Sequence, residues 1–365
     1  MKRFESDEKM TTYEAAEADD DAKFIQELCD ELEARPAIAC PVKYTGPGSE
    51  AAVNQAVVRY KVQAQLLKRR HPWLDFSALE SVVFHQDYAL ALREVSELAG
   101  HECKATSEEG GIGLAMVVHV GEKCVVVLDA GIAHGLMEEA DPSTQDLCLD
   151  TALHELCHVD DYSRKRRLLG LGVDAPQIAP IHRYVFTAAD AAWSEYFANK
   201  YSHSAASSPD MSPKFIAEVV PSVVRQVRQA IIEYRTHSRL EQLLQLCAQK
   251  LRYLFQAFGY AAGRLAASGS DLKSVAPESV DVLRAAGLED VWQSVFDELE
   301  RLDACRESWT SFAVYEPLMN QAGAAVRTFG IRYYASGDGV GVDIPYTPET
   351  MPDTPFAQFV ARLAT

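Results

Sequence analysis

Five residues near the middle of the chain, His154-Glu155-Leu156-Cys157-His158, have the types and the spacing for metal-assisted hydrolysis. On an α-helix, positions four apart lie on one face, about one turn from each other. The two imidazoles can therefore close on a single ion, and imidazole nitrogen suits zinc. A carboxylate beside the first histidine can reach a water on such an ion and take its proton. The expectation is that His154 and His158 bind Zn2+ and that Glu155 is the catalytic base.

A hydrolytic zinc site uses three protein ligands and keeps a fourth position open. The best candidate for the third is Glu195, in Trp193-Ser194-Glu195-Tyr196-Phe197-Ala198-Asn199. Asp190, His182 and His203 are the other candidates. Asp161 shares a face with both histidines, but one straight helix cannot easily wrap three ligands around a tetrahedral ion. Asp161 is therefore expected to support a ligand rather than to be one. Asn199 lies one turn after Glu195 and is placed to orient a ligating side chain.

The H-E-x-x-H of residues 154–158, followed by the E-x-x-A-N of residues 195–199, resembles the gluzincins, zinc peptidases with a His, His, Glu triad. The resemblance implies zinc on His154, His158 and Glu195, Glu155 as base, and a peptide or protein substrate. It implies a zincin-like fold over roughly residues 80 to 205 and is strong at the two motifs. Many gluzincins carry Asp where this chain has Asn199, and the loop between the two helices is longer here. No third histidine follows at the metzincin spacing.

The elements that must hold these residues are legible in outline. Asp141-Pro142 reads as a helix N-cap followed by proline at the first helical position. Leu149, Ala152, Leu153 and Leu156 form an apolar stripe at helical spacing. Arg164 to Arg167 suit the negative end of the helix dipole, and Gly170 and Gly172 stop it. The second helix carries Ala188, Ala191, Ala192, Glu195, Ala198, Asn199 and Ser202 on one face, small enough to approach another helix closely. Thr187 and Asp190 have capping-box spacing at its start. In the connector Leu171 to Tyr184, His182 and Tyr184 are candidates to stabilise an oxyanion.

Upstream, Val82-Val83-Phe84 reads as a strand, Tyr88 to Leu98 as a helix, and Ile112–Val120 with Lys123–Asp129 as a hairpin around Gly121-Glu122. Ser49 to Arg70 reads as a further helix. Downstream, Pro221 should break or kink a helical region. Val224 to Ala267 reads as one long helix with a bend at Gly259 or Gly263. Another helix runs from Pro277 to Ala304 with an interruption at Gly287. A loop or hairpin covers residues 331–342, and a short helix runs from Phe356 to Leu363. The fold class expected is α+β: a zincin-like small mixed sheet packed on the active-site helix, then a mostly α-helical C-terminal lobe. The expected divisions are an acidic, disordered tail at 1–21, a metal-binding domain at 22–206, a helical lobe at 207–310 and a helix-hairpin segment at 311–365.

The chain has 365 residues and a formal charge of −18, which argues against nucleic acid as a partner. Eight cysteines are dispersed without a C-x-x-C pair, as in a reduced protein. No secretory h-region and no membrane-length apolar run is evident, so a cytoplasmic protein with no membrane partner is expected. The alternative reading is a zincin-like regulatory or binding protein with little or no constitutive peptidase activity. The oligomeric state is unknown from sequence.

Overall fold

Valine-rich runs build the sheet. Lys123–Asp129 (β6) is buried at five successive positions, the pattern of a strand covered on both faces. It pairs in parallel with Leu79–His85 (β2), which pairs in parallel with Val42–Thr45 (β1). On its other side β6 pairs antiparallel with Ala115–Val120 (β5), giving the order β1-β2-β6-β5. The two-residue turn at Gly121-Glu122 closes that hairpin, and Gly121 takes the positive φ of 60° that its tight geometry needs. The expected strand from Ile112 begins instead at Ala115, because Gly111–Ile112 (β4) pairs with Ser107–Glu108 (β3).

The structure, a computed structural model, describes residues 23–105, 107–108, 111–137, 140–169, 178–203, 211–337 and 339–364. The acidic tail expected at 1–21, the glycine stop at Gly170 and Gly172, and most of the connector from Leu171 lie outside the described residues. The protein is mixed α+β and mostly helical, with one small mixed sheet and two two-stranded ladders among the described residues.

Two compact units are found. The first holds the described residues as far as Lys104 and those of Leu114–Leu156. Here residues 23–34 (α1) and Glu50–Arg70 (α2) flank β1 in sequence, and Tyr88–Ala99 (α3) follows β2. Ser49 caps α2 through its side chain, and Asp87 caps α3. Ala130–Gly135 (α4) is a short turn after β6, capped by Asp129.

Pro142–Leu169 (α5) begins in this unit and continues unbroken into the second, which takes over at Cys157. Its start is the expected one. Asp141 accepts from the Thr144 backbone at 3.0 Å and from the Ser143 and Thr144 hydroxyls at 2.6 Å each. Those bonds hold the Asp141 carboxyl well below the usual carboxylate range.

The second unit is helical: Phe186–Ser202 (α6), Met211–His237 (α7), Leu240–Ser268 (α8), Leu272–Val275 (α9), Pro277–Ala285 (α10), Glu289–Cys305 (α11) and Glu316–Thr328 (α12). The hairpin Arg332–Ser336 (β7) and Gly339–Asp343 (β8) and the helix Pro355–Ala364 (α13) close the chain.

Several expectations are corrected. The capping box at α6 does not form. The helix starts at Phe186, led in by a turn in which the Val185 amide donates to the His182 carbonyl, and Asp190 pairs with Lys165 instead. Helix α7 runs through Pro221, which lies on an exposed face of the helix. The long helix from Val224 divides at Ser238, which adopts a positive φ of 57° with neither Gly nor Pro to announce it. Helix α8 runs through Gly259 and Gly263 without a break. The break at Gly287 between α10 and α11 is as expected, at φ 69°.

Candidate metal centre

Helix α5 brings its two histidines one turn apart on one face, as the spacing requires. Helix α6 supplies Glu195. The ligand atoms of His154, His158 and Glu195 all lie within 4.8 Å of one another, so the three could hold a metal ion. His158 Nε2 stands 3.4 Å from Glu195 Oε2. Two donors about 2.1 Å from one tetrahedral zinc ion are about 3.4 Å apart, so this pair has the separation that such an ion needs. The side chains are 15% and 11% exposed respectively, buried enough to make an ionic ligand effective and open enough to admit one.

The orientation of His158 is fixed from behind. Its Nδ1 is 3.0 Å from Ser194 Oγ, and that hydroxyl donates to Asp161 Oδ2 at 3.1 Å. A serine has one proton to give. Since it goes to Asp161, the ring Nδ1–H donates to Ser194, and Nε2 is the nitrogen that faces Glu195 Oε2. With the ring neutral, Nε2 and Glu195 Oε2 are two donor atoms 3.4 Å apart on which one cation could sit.

Asp161 is itself locked. It accepts from Trp193 Nε1 at 2.8 Å and pairs with Lys165 Nζ at 2.8 Å. Lys165 pairs also with Asp190 at 2.7 Å. Burial alone would push the Lys165 ammonium down, but the two carboxylates more than offset it and hold it above the usual lysine range. Asp161 therefore reaches His158 through the Ser194 hydroxyl. Asp190 is occupied by Lys165, and His203 Nδ1 lies 2.6 Å from Arg264, so neither stands with the cluster.

Glu195 is fixed through its other oxygen. Gln256, on α8, donates to Glu195 Oε1 at 2.8 Å and to the Tyr260 hydroxyl at 3.1 Å, which uses both amide protons. The reach is possible because α6 and α8 touch at their backbones. A methyl group built on Gly259 would lie 2.3 Å from the Ala192 carbonyl oxygen, and one on Gly263 would lie 2.5 Å from that of Tyr196. The two glycines therefore serve close packing, and the small face of α6 meets them. Sequence reasoning misses Gln256. The signal that could have found it is the alanine face of α6 matched with the glycine pair of α8.

The remaining expected residues fall as follows. Glu155 is buried at 7% exposure, beside His154 on α5. Asn199 Nδ2 donates to the Glu195 carbonyl at 3.0 Å, so its side chain is spent on the helix backbone rather than on a ligating side chain. His182 lies in the short turn Pro180–His182, which touches the β7–β8 hairpin. The Tyr184 hydroxyl donates to Glu241 at 3.3 Å, and its ring lies 6.2 Å from Tyr333. The structure brings neither His182 nor Tyr184 into the metal-ligand group.

Compared with family models, with curated proteins and with solved structures, the chain gives no match. None of the eight cysteines is in a disulfide. Among the described residues no helix is long and apolar enough to cross a membrane.

Proposed function

We propose that the protein is a zinc-dependent peptidase of gluzincin type. The observation that carries this reading is the convergence of His154, His158 and Glu195 on one point with Glu155 buried next to the first ligand. Zinc bound there would polarise the substrate carbonyl and lower the pKa of the attacking water. Glu155 takes a proton from that water as its oxygen bonds to the carbonyl carbon. It returns the proton to the amine as the carbon–nitrogen bond breaks. His158 is held in the correct tautomer by Ser194 and Asp161, and Glu195 is aimed by Gln256. The sheet supports a zincin-like fold, with β5 as an antiparallel edge strand onto which an extended peptide can add.

The test uses a mixture of quenched-fluorescence peptides on zinc-loaded protein. The wild type should cleave at least one, and Glu155→Gln should keep its zinc while losing about a thousandfold or more in turnover. Cleavage that survives Glu155→Gln would contradict the peptidase reading.

A further inference from the structure

The first unit holds a cavity of about 310 Å3 at the amino ends of the parallel neighbours β1 and β2. Residues 35–40, which lead into β1, bound it on one side. Phe76, Ser77 and Leu79, where β2 begins, bound it on the other, and Lys68 of α2 completes the lining. Ile38, Phe76 and Leu79 are buried and give it an apolar floor. The volume lies at the lower end of the range for ligand cavities, room for about ten waters at about 30 Å3 each.

The walls are fixed by the fold. Gln65 of α2, itself buried, accepts from the Ala37 amide at 2.7 Å and donates to Glu31 Oε2 at 3.1 Å. The segment before β1 is thereby pinned to α2. Lys68 Nζ donates to the Leu74 carbonyl, and Lys123 Nζ donates to the Ser77 carbonyl at 2.9 Å. An ammonium has three protons, so Lys68 has others to offer.

The charge of the lining has one sign. It includes Arg35 and Lys68 and no carboxylate, in a chain whose acidic residues outnumber its basic ones 53 to 35. Among the described residues neither Arg35 nor Lys68 has an ion-pair partner. Glu31, four residues before Arg35, is taken up by Arg69 at 2.8 Å and by Gln65. Burial pushes the Cys40 thiol up, so this lining side chain stays uncharged near neutrality.

Two uncompensated cations above an apolar floor match a molecule with an anionic head and an apolar body. The planar fork of a guanidinium fits a carboxylate in particular. We propose that this cavity binds a small organic carboxylate, its head on Arg35 and Lys68 and its body on Ile38, Phe76 and Leu79. The inference does not rest on the peptidase reading, because no residue of the metal cluster lines the cavity.

The experiment titrates the full-length protein, by ligand-observed NMR, with phenylpropionate, hexanoate and indoleacetate. Each acid is run beside its own primary amide, and inorganic phosphate serves as an anion without a body. The expected result is that at least one acid binds with a Kd of about 1 mM or tighter. Its amide, and phosphate, should bind about tenfold more weakly or worse, and Arg35→Gln and Lys68→Gln should each weaken the acid by about tenfold. Arg35 is exposed, so Arg35→Gln should keep the wild-type Tm and is the deciding variant. The inference is overturned if no acid binds, if the amide or phosphate binds as tightly as the acid, or if Arg35→Gln binds like wild type. Zinc content and peptide cleavage are followed in the same samples. A wild type that binds the acid yet takes up no zinc and cleaves no peptide would sink the peptidase reading and leave this one standing.

Discussion

Ser194 shows how much one hydroxyl decides. It sits between His158 Nδ1 and Asp161, and its single proton sets the tautomer of the ring. Replacing it by alanine leaves the ligand in place but frees its orientation. We predict that Ser194→Ala binds zinc about 10- to 100-fold more weakly, read by competition with a chromogenic chelator, with little change in Tm. An unchanged affinity would show that Asp161 and Ser194 do not act on His158. At this scale the sequence carries the chemistry-bearing residues well. Histidines four apart and a glutamate on a second helix are visible as letters and spacing. Ser194 adjoins Glu195 yet is silent, because a serine within a helix carries no signal until its neighbours across the packing are known. Gln256 lies 61 positions from Glu195, on another helix. No periodicity links them.

At the scale of elements, the site depends on how closely α6 and α8 approach. Gly259 and Gly263 leave room for carbonyl oxygens where any side chain would collide. Gln256, nearly one turn before Gly259 in the same helix, then reaches Glu195. Gly259→Ala should destabilise the protein by about 1–3 kcal/mol in urea unfolding, through overpacking against Ala192. It should also weaken zinc binding by shifting Gln256. An alanine tolerated without loss of stability would mean that the two helices have slack, and that Gln256 is not held by their contact. The helices themselves are legible, because a capping residue marks the start of α5 and side-chain patterns mark α6 and α8. Their mutual packing is not. Glycine inside a helical pattern reads equally as a bend or as a close approach, and only the partner helix decides between them. The break at Ser238 is hidden for a related reason: a serine in left-handed backbone looks like any serine.

For the whole molecule, the question is whether the metal builds the fold or is added to it. The apolar cores are extensive in both units, with Val126, Val127 and Leu128 buried in the sheet and Trp193, Phe197, Phe255 and Phe258 among the helices. The His154, His158 and Glu195 side chains are carried by such elements and do not replace a core. Zinc removed by a chelator should therefore leave the far-UV circular dichroism intact. Stability should fall by only about 3–4 kcal/mol relative to protein holding zinc at 100 to 1,000 times its Kd. Unfolding on chelation would contradict this, and would make the ion a structural one. The α+β class and the order of most elements are legible because buried strands and amphipathic helices leave regular patterns. The pairing order β1-β2-β6-β5 is not, since register and crossover are settled by contacts distant in sequence.

The peptidase function proposed for this molecule depends on a zinc ion held by two histidines of α5 and one glutamate of α6. The direct measurement is metal content by mass spectrometry of purified protein, wild type beside Glu195→Gln. We expect about one zinc per chain in the wild type and little or none in the variant after dialysis. Full zinc in Glu195→Gln would place the third ligand elsewhere. A wild type that takes up no zinc when zinc is supplied would contradict the site altogether.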